Sequence, residues 1–355
     1  MIKYLKVEGL NGNKEPLEFH FNDDLNLFTG LNGCGKTTIL KILWLVNSGC
    51  IDTLSREVSF ESLYVKAEKY EVSITKKNDL VHYEWEVEGW RSENSFSLER
   101  DVSYRRRSVV ELSKAFYDNS DDSIFFPTFR RIEGGFGMEY SGQRYRRESF
   151  PLKDVLCDLS EELSSEKHLF IASVSTDDII LLLYKEYSAV VRSINDLQKV
   201  QFDEIRKKIR NKSGKSSDEI LAALESDVKT VEREREEAIK PFTTLENLIM
   251  RIFHKKGIEM DTITFGDEIN AISSDKLSAG EKQMLSFLCY NTFSKNKVIF
   301  IDEPELSLHP DWQRLLIPTL LRQENNNQFF IATHSPFIYT KYPDKEIIIN
   351  NNKGE

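Results

Sequence analysis

The sequence predicts an α/β fold. A mixed sheet carries a phosphate-binding loop, an antiparallel β subdomain flanks it, and a helical lobe is inserted. Three observations carry this expectation. First, the apolar run LNLFTG leads into the glycine-rich GLNGCGKTT (Gly30–Thr38) and then TTILKILWLVNSG, which reads as strand, loop and helix. Second, two later apolar runs, KVIFIDEPE and NQFFIATHSP, also end in polar tips. Third, the stretch from Pro151 to about Phe253 has few glycines and many Leu, Glu, Lys and Arg, the pattern of helices.

The elements follow in order. Tyr4, Leu5 and Val7 lead to Gly9, then Leu17, Phe19 and Phe21 recur at period two, so two antiparallel strands open the chain. From Ser59 to Leu98 the alternation in YEVSITKKNDLVHYEWEVEGW, with its Lys-Lys-Asn-Asp turn, predicts a hairpin or meander. SIFFPTF is a further strand broken by Pro127, and it runs into the charged, Gly-rich RRIEGGFG. LYKEYSAVVRSINDLQKVQFDEI and EILAALESDVKTVEREREEAI form a helical hairpin with KKIRNKSGKSSDE at its tip. Its hydrophobic repeat predicts a short hairpin, not a long coiled-coil arm. KEIIIN is a final strand. The expected domains are therefore 1–150 (loop and antiparallel subdomain), 151–270 (helical lobe) and 271–355 (the closing strands with their preceding helix).

Bulk properties exclude several classes. At 355 residues the chain suits one large α/β domain with an inserted lobe. A net charge of -10 and a pI of about 5.4 argue against a whole-surface nucleic-acid binder, while allowing a local basic patch. Cys34, Cys50, Cys157 and Cys289 show no CxxC pair and no metal spacing, the pattern of reduced thiols. Cys34 at a helix N-terminus is a candidate for oxidation. MIKYLKVEGL lacks an apolar run of signal length, and no run reaches the ~18 apolar residues of a membrane span, so a cytoplasmic protein without a membrane partner is expected.

The motifs point to nucleotide chemistry. GLNGCGKTT matches G-x-x-x-x-G-K-[ST] in the strand–loop–helix context the motif requires. The backbone of Asn32, Gly33, Cys34, Gly35, Lys36, Thr37 and Thr38 would cradle phosphates at the helix N-terminus. Lys36 would reach the β/γ-phosphates and Thr37 would hold Mg²⁺. Asp302, at a strand tip, is placed to support Mg²⁺, and Glu303 to orient or deprotonate the attacking water. Taken alone, the pair could be a solvated acidic turn. His334 follows the next buried strand, where it could bond a γ-phosphate, although a lone histidine is commonly structural. In KLSAGEKQML, Ser278 and the N–H of Gly280 stand at a helix start, with Glu281 at the third helical position. That arrangement could bind phosphate or simply form a capping box.

The order of these motifs resembles the ATP-binding-cassette type of ATPase. There LSAGE (Leu277–Glu281) is the signature, DEPELSLHP joins the acidic strand to the loop called D, and His334 is the switch histidine. The resemblance covers roughly residues 1–50 and 270–340. It implies a catalytic set of Lys36, Glu303 and His334, and ATP with Mg²⁺ as ligands. It also implies a signature whose Ser278, Gly280 and Glu281 close over the nucleotide of a second protomer, giving a homodimer or higher even-numbered oligomer. The strands opening directly before the loop look more like the RecF, SMC and OLD group than transporter subunits. SIFFPTFRRIEGG and DEPELSLHPDWQR are similar to ATPase subunits of anti-phage defence modules such as Septu, PARIS and retron-linked systems. The chain ends shortly after His334, so the expected nuclease is a separately encoded partner. A DNA-binding ATPase of repair or chromosome maintenance is the alternative.

Three arginine clusters bear on that alternative: Arg105–Arg107, Arg130–Arg131, and Arg144, Arg146 and Arg147. Interleaved aromatics suit nucleic acid, and a solvated face or a protein interface explains the same residues. Arg130 or Arg131 could instead sense nucleotide or act as an arginine finger. Gln143 is a candidate for the family's glutamine loop by position, though its flanks fit a surface residue better.

Overall fold

The computed structural model describes residues 1–98, 116–132, 160–210, 217–253 and 277–349, except positions 14, 88, 129, 161, 162 and 175. The first elements are β1 (Ile2–Glu8), β2 (Leu17–His20), β3 (Leu25–Thr29), α1 (Lys36–Asn47) and α2 (Ile51–Glu57). Then come β4 (Ser62–Ala67), β5 (Tyr70–Lys77), β6 (Leu80–Val87), β7 (Trp90–Ser97) and β8 (Ser123–Phe126). The short β9 (Arg131–Ile132), β10 (His168–Phe170) and β11 (Ser173–Val174) precede the long helices α3 (Thr176–Arg210) and α4 (Ser217–Phe253). Last are α5 (Ala279–Thr292), β12 (Val298–Asp302), α6 (Pro310–Leu321), β13 (Gln328–Ala332), α7 (Pro336–Tyr339) and β14 (Glu346–Ile348).

The chain forms two compact units, Met1–Val174 with Ser294–Glu355, and Ser175–Phe293. The expected boundaries at 150/151 and 270/271 fall outside the described residues. One expectation is corrected. The helix α5, which carries the signature, groups with the helical unit and not with the closing strands. The reason is packing: α5 lies against both α3 and α4, and most of its residues, from Lys282 to Cys289, are buried. A helix buried over most of its surface needs neighbours on several sides, and these two helices supply them.

In the first unit, parallel and antiparallel pairing are both present, in separate ladders. Six parallel strands lie in the order β10–β8–β12–β13–β3–β14. Six antiparallel strands lie in the order β2–β1–β4–β5–β6–β7. The sequence dictates the split. LNLFT, VIFID and QFFIA are buried at every position, as strands covered on both faces must be. The strands β4 and β6 alternate buried and accessible residues, as strands with one wet face do.

The parallel register stacks Phe125, Phe300 and Phe330 on adjacent strands. The Phe300 and Phe330 rings are stacked, 5.3 Å apart and nearly parallel, and Phe28 extends the row. Trp44 of α1 closes on Phe125 at 5.3 Å, which seats that helix on the sheet. The same register brings the C-terminal ends of β3, β12 and β13 to one edge, where Ala332 pairs with both Asp302 and Phe28. Loops leaving that edge form the site.

The second unit also corrects an expectation. The helices of the hairpin run 35 and 37 residues, roughly 50 Å each, and form a long arm. Helix formers such as Lys, Glu, Gln, Arg and Leu sustain the helix past the end of the apolar repeat. At the base, Phe242 of α4 packs on Tyr187 of α3 at 5.6 Å and on Phe293 at 4.8 Å. Of the expected tip, 207–219, residues 207–210 and 217–219 belong to the two helices, and 211–216 lie outside the described residues. No helix among the described residues is long and apolar enough to cross a membrane.

Candidate active site

Loops at the C-terminal edge of the parallel sheet enclose a cleft of about 540 Å³. Asn32, Gly33, Gly35, Lys36, Thr37 and Thr38 line one side, and Glu303 and His334 line the other. The structure thus brings together the motif residues that lie in the first unit. Cys34 does not line the cleft. It is buried under the loop, with its sulfur 3.7 Å from Lys36 Nζ.

The loop's shape follows from its glycines. Gly30 stands at φ +140°, and a Cβ there would lie 2.7 Å from the Ile349 carbonyl oxygen and 2.9 Å from Cys34 Sγ. Gly35 caps α1 at φ 101°, in the left-handed region. The N–H groups of the first turn of a helix have no intrahelical acceptor, so the N-terminus of α1 faces the cleft as an anion site. Lys36 is buried and its ammonium donates to the Gly30 and Leu31 carbonyls, at 3.1 Å each. Those bonds hold the amine under the loop, where a bound phosphate would meet it.

Asp302 is 1 % exposed, buried behind Thr37 of the cleft wall. One of its carboxylate oxygens accepts from Thr37 Oγ1 at 3.2 Å, and the other accepts from Thr128 Oγ1. A hydroxyl and a carboxylate at this separation are hard oxygen donors, the set that suits Mg²⁺. Glu303 is half-buried and stands at φ +48°, a left-handed backbone for a residue with a Cβ. Burial, with the charges of Asp302 and Glu305 beside it, raises its carboxyl above the usual carboxylate range. A raised carboxyl is a better proton acceptor at neutral pH.

His334 is exposed at the rim, and the loop holding it is tied down from below. The carboxylate of Glu305 accepts from the His334 backbone N–H at 2.6 Å and from Thr333 Oγ1 at 2.9 Å. Gln313 of α6 accepts from Ser335 Oγ at 2.5 Å and donates to the Leu308 carbonyl at 2.8 Å. The ELSL loop and the histidine loop are therefore strapped together by two side chains. Sequence reasoning singled out neither Glu305 nor Gln313, and it missed Thr128. Only the second acid of EPE, next to a located strand tip, offered a signal.

Ser278, Gly280 and Glu281 belong to the second unit. There the capping box forms: the Ser278 N–H donates to the Glu281 carboxylate at 2.8 Å, and the Glu281 N–H donates to Ser278 Oγ at 3.4 Å. The Ser278 hydroxyl accepts in this box, so its own proton can still donate to a ligand.

One arginine expectation is overturned. Arg130 is 8 % exposed, and its guanidinium donates to the chain's own carbonyls, so it neither faces nucleic acid nor reaches across to another protomer. The side chain of Arg131, the clusters at 105–107 and 144–147, and Gln143 lie outside the described residues.

"Retron Vc95 probable ATPase" of Vibrio cholerae serotype O1 biovar El Tor is 24% identical over 92% of this chain and 68% of its own. "Septu protein PtuA" of Bacillus thuringiensis is 40% identical over 17% of this chain and 15% of its own. Among solved structures, the SMC head domain from Thermotoga maritima aligns over 96% of this chain and 91% of its own, at 13% identity and a TM-score of 0.38, a loose likeness. Residues 25–339, most of the sequence, match the family described as "AAA domain, putative AbiEii toxin, Type IV TA system". The chain belongs to that AAA-domain family.

Proposed function

We propose that this chain binds Mg·ATP in the cleft and hydrolyses it, and that two copies must close head to tail for hydrolysis. The observation that carries this is the convergence of Lys36, the Thr37–Asp302 pair, Glu303 and His334 on one cleft. The loop amides and Lys36 bind the phosphates, and Thr37 and Asp302 are the residues to hold Mg²⁺. When bound, Mg²⁺ offsets charge on the phosphate oxygens. Glu303 takes the proton of the attacking water, and His334 stabilises the γ-phosphate. Ser278 and Gly280 of a second copy complete the site. Since the work is positioning and charge stabilisation, completing the site in trans is the natural control point.

The cellular role we infer is anti-phage defence, in which this ATPase restrains or releases a separately encoded effector nuclease. The relatives named as a retron ATPase and a Septu protein support that setting. The DNA-binding reading loses the support of Arg130, which is buried.

The test uses Glu303→Gln, which keeps shape and removes the base. Its mass by light scattering should rise to that of an even-numbered oligomer with Mg·ATP, and Ser278→Arg should prevent the rise. ATP turnover should fall at least about 100-fold, the range a general base contributes. Wild-type turnover by Glu303→Gln would refute the assignment of the base.

A further inference from the structure

Arg130 follows β8 and is buried against the acid pair. Its Nη1 donates to the Pro127 carbonyl at 2.7 Å and the Asp302 carbonyl at 2.9 Å, and its Nη2 donates to the Glu303 carbonyl at 3.1 Å. Glu303 is an unusual residue to find at φ +48°. It carries a Cβ and it precedes Pro304, and both features restrict its backbone. Such a conformation persists only when the surroundings over-determine it.

The surroundings do so here. The peptide before Glu303 is held at both ends, its N–H by the Ala332 carbonyl at 2.9 Å and its C=O by Arg130. The peptide after Glu303 joins a proline and has no N–H, so its carbonyl is its only hydrogen-bonding group, and Arg130 binds that too. A planar fork with several donors can serve two peptides at once, whereas a lysine ammonium is a single point. The charges of Asp302, Glu305 and Glu303 keep the buried guanidinium a cation, although burial lowers it to about 10.

We propose that Arg130 is a positioning residue for hydrolysis: by holding both peptide groups that flank Glu303, it aims that carboxylate into the cleft. Thr128, from the same loop, holds the far oxygen of Asp302. One short segment after β8 thus fixes the metal-side acid and the base together. The proposal rests on the reading of Glu303 as the base.

The experiment compares ATP turnover, and affinity for a fluorescent ATP analogue with Mg²⁺, in the full chain and four variants. These are Arg130→Lys, Arg130→Gln, Glu303→Gln and the double Arg130→Gln/Glu303→Gln. Both Arg130 variants should lose at least about 10-fold in kcat while affinity stays within about threefold. Over long incubations the double variant should be no slower than Glu303→Gln within about twofold, because both changes act through one carboxylate. If the Gln variants prove unfolded by thermal melting, Arg130→Lys decides, since it keeps the charge and the apolar stem. Wild-type kcat in Arg130→Lys, an equal loss of affinity and kcat, or an additive loss in the double variant would each overturn the role. Wild-type turnover by Glu303→Gln would overturn the base reading itself, and the role of Arg130 with it.

Discussion

Single side chains in this protein act through the backbone they hold. Gly30 shows this from the steric side. Any Cβ at φ +140° would press on the Ile349 carbonyl oxygen and the Cys34 sulfur, both inside normal contact distance. Gly30→Ala should therefore cost at least ~2 kcal/mol of stability and weaken binding of a fluorescent ATP analogue more than 10-fold. A melt and a titration check it, and unchanged binding would mean the loop tolerates the side chain by shifting. Thr128, Arg130 and Glu305 show the same logic from the polar side. Thr128 and Arg130 do not line the cleft and Glu305 does, yet each fixes an acid or a loop that forms it.

At the level of elements, β10 carries a pH-sensitive contact far from the chemistry in function. His168 is 1 % exposed and bridges the hydroxyls of Ser120 at 3.2 Å and Ser123 at 2.9 Å. Burial, with Lys167 and Lys297 nearby, pushes the imidazole down from 6.5 to about 4. Between those values the unfolded chain binds a proton that the folded chain does not. Stability is complete above pH 6.5 and is lost as pH falls toward 4, by roughly 3 kcal/mol at 1.36 kcal/mol per pH unit. Melting temperature measured from pH 7 to pH 4.5 should fall more steeply in the wild type than in His168→Gln. Parallel curves would show that other groups carry the dependence. The helix α5 illustrates a different point, since its capping box and its proposed role in trans use the same serine.

The whole-molecule prediction follows from that shared serine. If a complete site needs Lys36 of one copy and Ser278 of another, Lys36→Ala and Ser278→Arg proteins should each be nearly inactive alone. Mixed in equal amounts, a mixed dimer keeps one site with both residues intact, and turnover should recover to about a quarter of wild type (half the dimers mixed, one site in each). Ser278→Arg lies in the helical unit, so a merely structural defect would show no recovery on mixing. Absence of recovery would place LSAGE in the structural role of a helix cap.

The sequence by itself determined what local chemistry can specify. GLNGCGKTT between an apolar run and a helix, and acids at the end of VIFID, are legible because strand burial and glycine backbone freedom depend on a few adjacent residues. The same is true of the meander from β4 to β7, whose alternation is written in its residues. The tertiary structure decided what depends on register and packing between distant segments. The arrival of Thr128 and Arg130 at Asp302 and Glu303 requires β8 to lie beside β12, a pairing across about half the chain. The length of the helical arm escaped the hydrophobic repeat because charged helix formers propagate a helix without an apolar stripe. Arg130 looked like a surface charge because composition cannot tell a solvated guanidinium from one that ends on backbone carbonyls. Only burial between two strands makes that distinction.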